Sequence, residues 1–172
     1  MFSGDKWYHN HGVLGSVAPD GMMYDFFDGP LGRNNDRQFM NASQLNDSMN
    51  TVCSLIWLVG NMYYAYTDKG FTTDTNIKSA HHGPAIVTPQ QFRDNMMMSS
   101  VRVCIEWSFT KLKQVAPILT RKSILRLGAI NVPKLLRVAQ LQTNVHTCLK
   151  QSQTGLFFNC SAPTLEQYFA FV

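Results

Sequence analysis

The chain is poor in acid. Of its 172 residues, 11 are Asp or Glu against 15 Lys or Arg, and the only glutamates are Glu106 and Glu166. The shortage is uneven. Residues 1–60 hold three basic and six acidic side chains, residues 61–110 hold four of each, and residues 111–172 hold eight basic side chains with Glu166 as the sole acid. From Lys111 to Arg137 no acid interrupts the basic residues, among them Lys113, Arg121, Lys122 and Arg126. A footprint for a polyanion accounts for such a run. So does the solvated face of a surface helix, and composition leaves both open.

Other scarcities exclude whole classes. Cys53, Cys104, Cys148 and Cys160 are widely scattered and form no CxxC pair. That spacing suits neither a zinc site nor a compact disulfide framework, and it fits buried thiols in a reducing compartment. No apolar run approaches the ~18–20 residues of a membrane span, so no membrane partner is expected. No basic segment followed by an apolar one opens the chain, which does not support a secretory signal. The glycosylation tripeptides Asn41-Ala42-Ser43 and Asn159-Cys160-Ser161 therefore carry no weight. There is no G-x-S-x-G elbow, Walker loop or dinucleotide fingerprint. His81 and His82 are adjacent and point apart, while His9 and His11 alternate on a candidate strand without a third donor nearby. His146 falls on a basic helix, so structural or surface roles are expected for all five.

What is present reads as one α/β unit of ordinary domain length. Val13–Ala18 and Met22–Phe27 form candidate strands joined by a Pro-Asp-Gly turn. Gly29–Asn35 is a loop, and Asp36 can cap a helix through about Met49. Ser54–Val59 is a short buried strand, and Tyr63–Val87 is loop with one short strand near Ala85–Val87. Thr88-Pro89-Gln90-Gln91 predicts a capped helix that runs to about Lys113 and stops before Pro117. Pro133 opens a further helix through Lys150, and the tail from Ser152 is loop with a short helix or docking segment at Leu165–Phe171.

The long helix carries the most informative residue. Met98, Val101, Ile105, Phe109 and Leu112 recur at three- and four-residue steps, the pattern of a face turned to a core. Glu106 sits beside that stripe, four residues after Arg102. It is read either as half of an i,i+4 ion pair, worth roughly 0.2–0.5 kcal/mol, or as a metal-binding carboxylate projected from the helix.

Several segments decide for the second reading by resemblance. Ser99-Ser100-Val101-Arg102-Val103-Cys104-Ile105-Glu106 resembles the end of the catalytic domain of Harbinger-type DDE transposases and the DDE superfamily endonuclease-like proteins derived from them. Ser16-Val17-Ala18-Pro19-Asp20-Gly21-Met22 is similar to that family's hairpin, and Gly29-Pro30-Leu31-Gly32-Arg33-Asn34-Asn35-Asp36 to its Gly-Pro segment. Asn144-Val145-His146-Thr147-Cys148-Leu149, Ser152-Gln153-Thr154 and Pro163-Thr164-Leu165-Glu166-Gln167-Tyr168 resemble the C-terminal tail of one large subgroup.

The resemblance implies a ribonuclease-H-like mixed sheet flanked by helices, a divalent metal (Mg²⁺ or Mn²⁺), DNA as partner, and an intracellular, nuclear location. It makes Glu106 the third catalytic acid and Asp36 a further candidate metal ligand. Residues 1–150 would be a partial endonuclease-like domain and 151–172 its C-terminal tail.

Two departures from the pattern follow. The segment Met1–Tyr8 resembles the entry to the family's second strand, so the first, central strand and its aspartate are expected to be missing. The second aspartate belongs to a Gly-Asp-x-x-Tyr turn, and the turn here reads Gly60-Asn61-Met62-Tyr63-Tyr64. Asn61 replaces the acid with an uncharged amide. Two-metal cleavage needs anionic oxygens to hold both ions, so a degenerate, inactive domain is expected. Its basic 111–137 stretch would serve nucleic-acid binding without catalysis. An unpaired sheet edge would alternatively favour self-association or a strand-completing protein partner.

Overall fold

The computed structural model describes residues 2–3, 8–9, 13–28, 43–45, 47–51, 64–67, 71, 73–81, 88–120 and 130–170. Along these run β1 (Phe2–Ser3), β2 (Tyr8–His9), β3 (Val13–Val17), β4 (Met23–Asp28), β5 (Ala65–Thr67), β6 (Ile77–Ser79), α1 (Pro89–Val115), a 3₁₀ turn (Pro117–Thr120), α2 (Val132–Lys150), α3 (Gln153–Phe158) and α4 (Leu165–Ala170). The class is mixed α/β and mainly helical. The described strands form three two-stranded sheets, β1–β2, β3–β4 and β5–β6. The expected Gly29–Asn35 loop, Asp36 with the start of its helix, the Ser54–Val59 strand, the Asn61 turn and the Ala85–Val87 strand lie outside the described residues.

The chain divides into two compact units. One comprises Met1–Leu14 and Gly29–Arg102, the other Gly15–Asp28 and Val103–Val172. In the first, β1 and β2 pair antiparallel, Phe2 opposite His9. Strands β5 and β6 pair parallel, with Ala65 opposite Ile77. Along β6 the side chains alternate as a pleat requires, Ile77 and Ser79 buried and Lys78 exposed. Lys78 Nζ rests over the Tyr64 ring, 3.7 Å from its centroid. This pair of strands corrects the expectation of loop over residues 64–79. Three-residue strands are too short to show a period of two, so only their tertiary pairing reveals them.

Helix α1 starts as its sequence specifies. Thr88 Oγ1 accepts from the Gln91 N–H at 3.2 Å and Gln91 Oε1 accepts from the Thr88 N–H at 2.9 Å, a reciprocal capping box. The same device opens α4, where Thr164 and Gln167 exchange bonds of 3.2 and 2.9 Å. Asn131 caps α2 by accepting from the Lys134 N–H. Ser152 caps α3 by accepting from the Gly155 N–H at 2.9 Å. That helix stands where loop was expected: six residues are too few for periodicity, and the Ser152 cap was the one signal available.

The second unit is built on the β3–β4 hairpin. At its turn the Asp20 carboxylate accepts from the Met22 N–H at 2.9 Å, the local bond that makes Asp a turn residue. Gly21 follows with φ +84°, where a Cβ would run into the Ser152 side chain, so glycine is required twice over. Ser152 Oγ donates to the Asp20 carbonyl at 3.2 Å, tying α3 to the turn.

Helix α2 packs against β4 and α4, and the contact is polar at its centre. The Met23 N–H donates to Asn144 Oδ1 at 3.0 Å, and Asn144 Nδ2 donates back to the Met23 carbonyl at 2.9 Å. The same Nδ2 donates to the Tyr168 hydroxyl at 3.1 Å, and Gln140 adds a second bond to the Met23 carbonyl. Buried in the same unit are Met22, Met23, Leu136 and Ala139 together with Thr143, Thr147 and Thr154.

The buried line of α1 within this unit is Cys104, Ser108 and Leu112, spaced by four, with Ala116 continuing it. Of the stripe that apolar spacing predicts, Met98 and Leu112 are buried while Val101, Ile105 and Phe109 are half-buried, so the prediction holds in part and Cys104 and Ser108 complete the buried line. Ser108 can be buried because its Oγ donates to the Cys104 carbonyl at 2.9 Å.

Replacing Asn144 by Leu orphans the buried Met23 N–H, while Gln140 still serves the carbonyl. We expect a loss of about 2–3 kcal/mol in denaturant-induced unfolding. A loss below about 0.5 kcal/mol, the range of an inert surface change, contradicts this role.

Candidate functional site

Glu106 lies two residues from both Cys104 and Ser108. At about 100° per residue this turns it some 160° away from the buried line. Its side chain is accordingly exposed, on the solvent side of α1. Lys113 is likewise exposed, whereas Lys111 is half-buried and donates to Thr147 Oγ1 at 3.0 Å. Desolvation by this burial pushes the Lys111 ammonium below its ordinary value. Lys111 and Lys113 were read together as one basic run, and the structure separates them. Asp36, Asn61, Arg121, Lys122 and Arg126 lie outside the described residues, so Glu106 and Asn61 are joined by resemblance and not by a measured distance.

The other acid in a resembling motif, Asp20, is committed to structure. One oxygen holds the Met22 N–H and the other accepts from the Tyr24 hydroxyl at 3.2 Å. Desolvation, with the Asp20 carboxylate beside it, pushes the Tyr24 phenol up to about 12, so Tyr24 remains a neutral donor. Burial also pushes the Cys104 and Cys148 thiols up, which disfavours the reactive thiolate. His81 is drawn into the first unit: its backbone N–H and carbonyl are both bonded to the Asn95 amide, at 2.8 and 3.0 Å. Among the described residues no group of three His, Cys, Asp or Glu side chains could hold a metal ion. No described helix is long and apolar enough to cross a membrane.

A family model, DDE superfamily endonuclease, matches residues 1–144. The chain belongs to this family, whose members act on DNA and generally use divalent metal. No curated protein and no solved structure matches it. The donors present fit the family's metal poorly. Among the described residues Glu106 supplies one carboxylate from an exposed helical position, and by resemblance the second acid's place is taken by Asn61, an amide with one neutral oxygen. Hard Mg²⁺ sheds water reluctantly for such a ligand.

Because Glu106 is exposed and away from the buried line, Glu106→Gln should change unfolding stability by no more than about 0.5 kcal/mol. A loss above about 1 kcal/mol in thermal or denaturant melts would mark it as a structural residue instead.

Proposed function

We propose that this chain carries a Harbinger-type DDE endonuclease domain of ribonuclease-H-like arrangement that no longer cuts DNA. The domain spans residues 1–150, with 151–172 as its C-terminal tail. The observation that carries the reading is the pairing of the family match over residues 1–144 with Asn61 at the place of the second acid. Phosphodiester cleavage by two ions needs carboxylates that bridge them and offset their charge. An amide does neither, and Glu106 alone leaves an ion mostly hydrated.

Retained DNA binding is the activity we assign, in the nucleus. Its support is the acid-free stretch from Lys111 to Arg137, in which Lys113, Arg121, Lys122 and Arg126 supply phosphate contacts. Asp36, a further candidate ligand in the resembling Gly-Pro segment, serves on this reading as a helix cap.

Supercoiled plasmid incubated with the purified chain and Mg²⁺ or Mn²⁺ should stay uncut, while duplex binding measured by anisotropy should weaken steeply as salt rises. Metal-dependent nicking that Glu106→Ala abolishes overturns the inactive reading. Duplex affinity that does not respond to salt overturns the binding reading.

A further inference from the structure

A cavity of 610 Å³ opens in the second unit, bordered by the C-terminal halves of α1 and α2 and the start of α3. Lys111, His146 and Lys150 line it, and no Asp or Glu is among its lining residues. His146 and Lys150 are four apart and share one face of α2. Trp107 precedes Lys111 by four and supplies an apolar wall on the same face of α1. Its indole meets the Phe157 ring edge-on, with centroids 5.8 Å apart, so the wall is braced from behind. Gln114 and Gln153 add uncharged polar groups at the rim.

Lys111 is the unusual member. Its ammonium is partly removed from water, yet among the described residues it bonds to a neutral hydroxyl and no carboxylate lies within ion-pair distance. The hydroxyl is itself oriented: Thr147 is fully buried and gives its proton to the Thr143 carbonyl at 2.9 Å, which leaves a lone pair for Lys111. One of the three ammonium protons is thereby used and the others are available to the cavity. A half-buried cation without a counter-charge is costly, and an anion entering the cavity removes that cost.

The volume lies within the roughly 300–1,000 Å³ of small-ligand pockets, more than a bare phosphate fills. The geometry points to a phosphate ester of mononucleotide size, its phosphoryl group held by Lys111 and Lys150 and its base set against Trp107. A free nucleotide and the 5′-terminal nucleotide of a DNA strand present this same chemistry. The site goes beyond the DNA binding proposed above, which rests on exposed charge and not on this cavity.

The test is calorimetric titration of the full chain with AMP, adenosine and a 5′-phosphorylated oligonucleotide. AMP or the phosphorylated strand should bind at one saturable site, and adenosine at least about tenfold more weakly. Lys150→Ala, at an exposed position, should weaken the phosphorylated ligand by about tenfold or more, and Lys111→Met likewise. Arg93→Ala, at an exposed basic position outside the cavity, should change nothing. Saturable binding of AMP assigns the free nucleotide as ligand, whereas binding confined to the phosphorylated strand assigns the strand end. Absence of saturable binding by both, or binding that Lys150→Ala leaves intact, overturns the site. Salt-sensitive binding of unphosphorylated duplex without saturable binding of AMP or the phosphorylated strand shows the DNA reading standing while the cavity's falls.

Discussion

The side-chain amide of Asn144 stands in for a neighbouring strand at Met23. Its oxygen takes the strand's N–H and its nitrogen returns a bond to the same residue's carbonyl, across 121 positions of sequence. The remaining amide proton reaches Tyr168 on α4. One buried side chain therefore closes the edge of β4, fixes α2 against it and docks the last helix. An orphaned backbone group at this depth would cost about 1–3 kcal/mol, so the amide constrains the identity of residue 144 more tightly than its volume does. The hairpin turn is closed by the same economy. Ser152 caps α3 and binds the Asp20 carbonyl, in space that only a glycine at position 21 leaves open.

These contacts explain which parts of the fold could be read in advance. The hairpin at Val13–Val17 and Met23–Asp28, the capped start of α1 at Thr88 and the extent of α2 all depend on local chemistry: turn residues, caps and prolines within a few positions. The parallel pair β5–β6 and the six-residue α3 carry no period long enough to detect. The buried face of α1 is legible only in part. Apolar spacing selects Met98, Val101, Ile105, Phe109 and Leu112, of which Met98 and Leu112 are buried, but Ser108 buries its hydroxyl by bonding to the Cys104 carbonyl and so joins the core line. Asn144 appeared in the sequence as part of a resembling motif with no role attached, because its partner is remote. Lys111 was grouped with the basic run, since sequence gives a residue's charge and not its burial.

On the proposed reading, family membership and chemical competence separate at one turn. The match over residues 1–144 assigns the chain to the DDE superfamily endonucleases, and Glu106 keeps an exposed helical position from which a carboxylate could act. On that reading, Gly60-Asn61-Met62-Tyr63-Tyr64 resembles the second-acid turn with an amide in place of its carboxylate. Such an exchange would remove the charge that divalent ions require. The excess of basic residues beyond Lys111 does not depend on that turn, and on the proposed reading it leaves DNA binding as the retained function.

Calorimetric titration of Mn²⁺ into the native chain, with Asn61→Asp and Glu106→Ala alongside, tests this account most directly. The account predicts weak, mostly hydrated binding by the native chain and a gain of at least about tenfold in Asn61→Asp. Tight binding by the native chain that Glu106→Ala abolishes would contradict it and return the domain to the working metal-dependent nucleases.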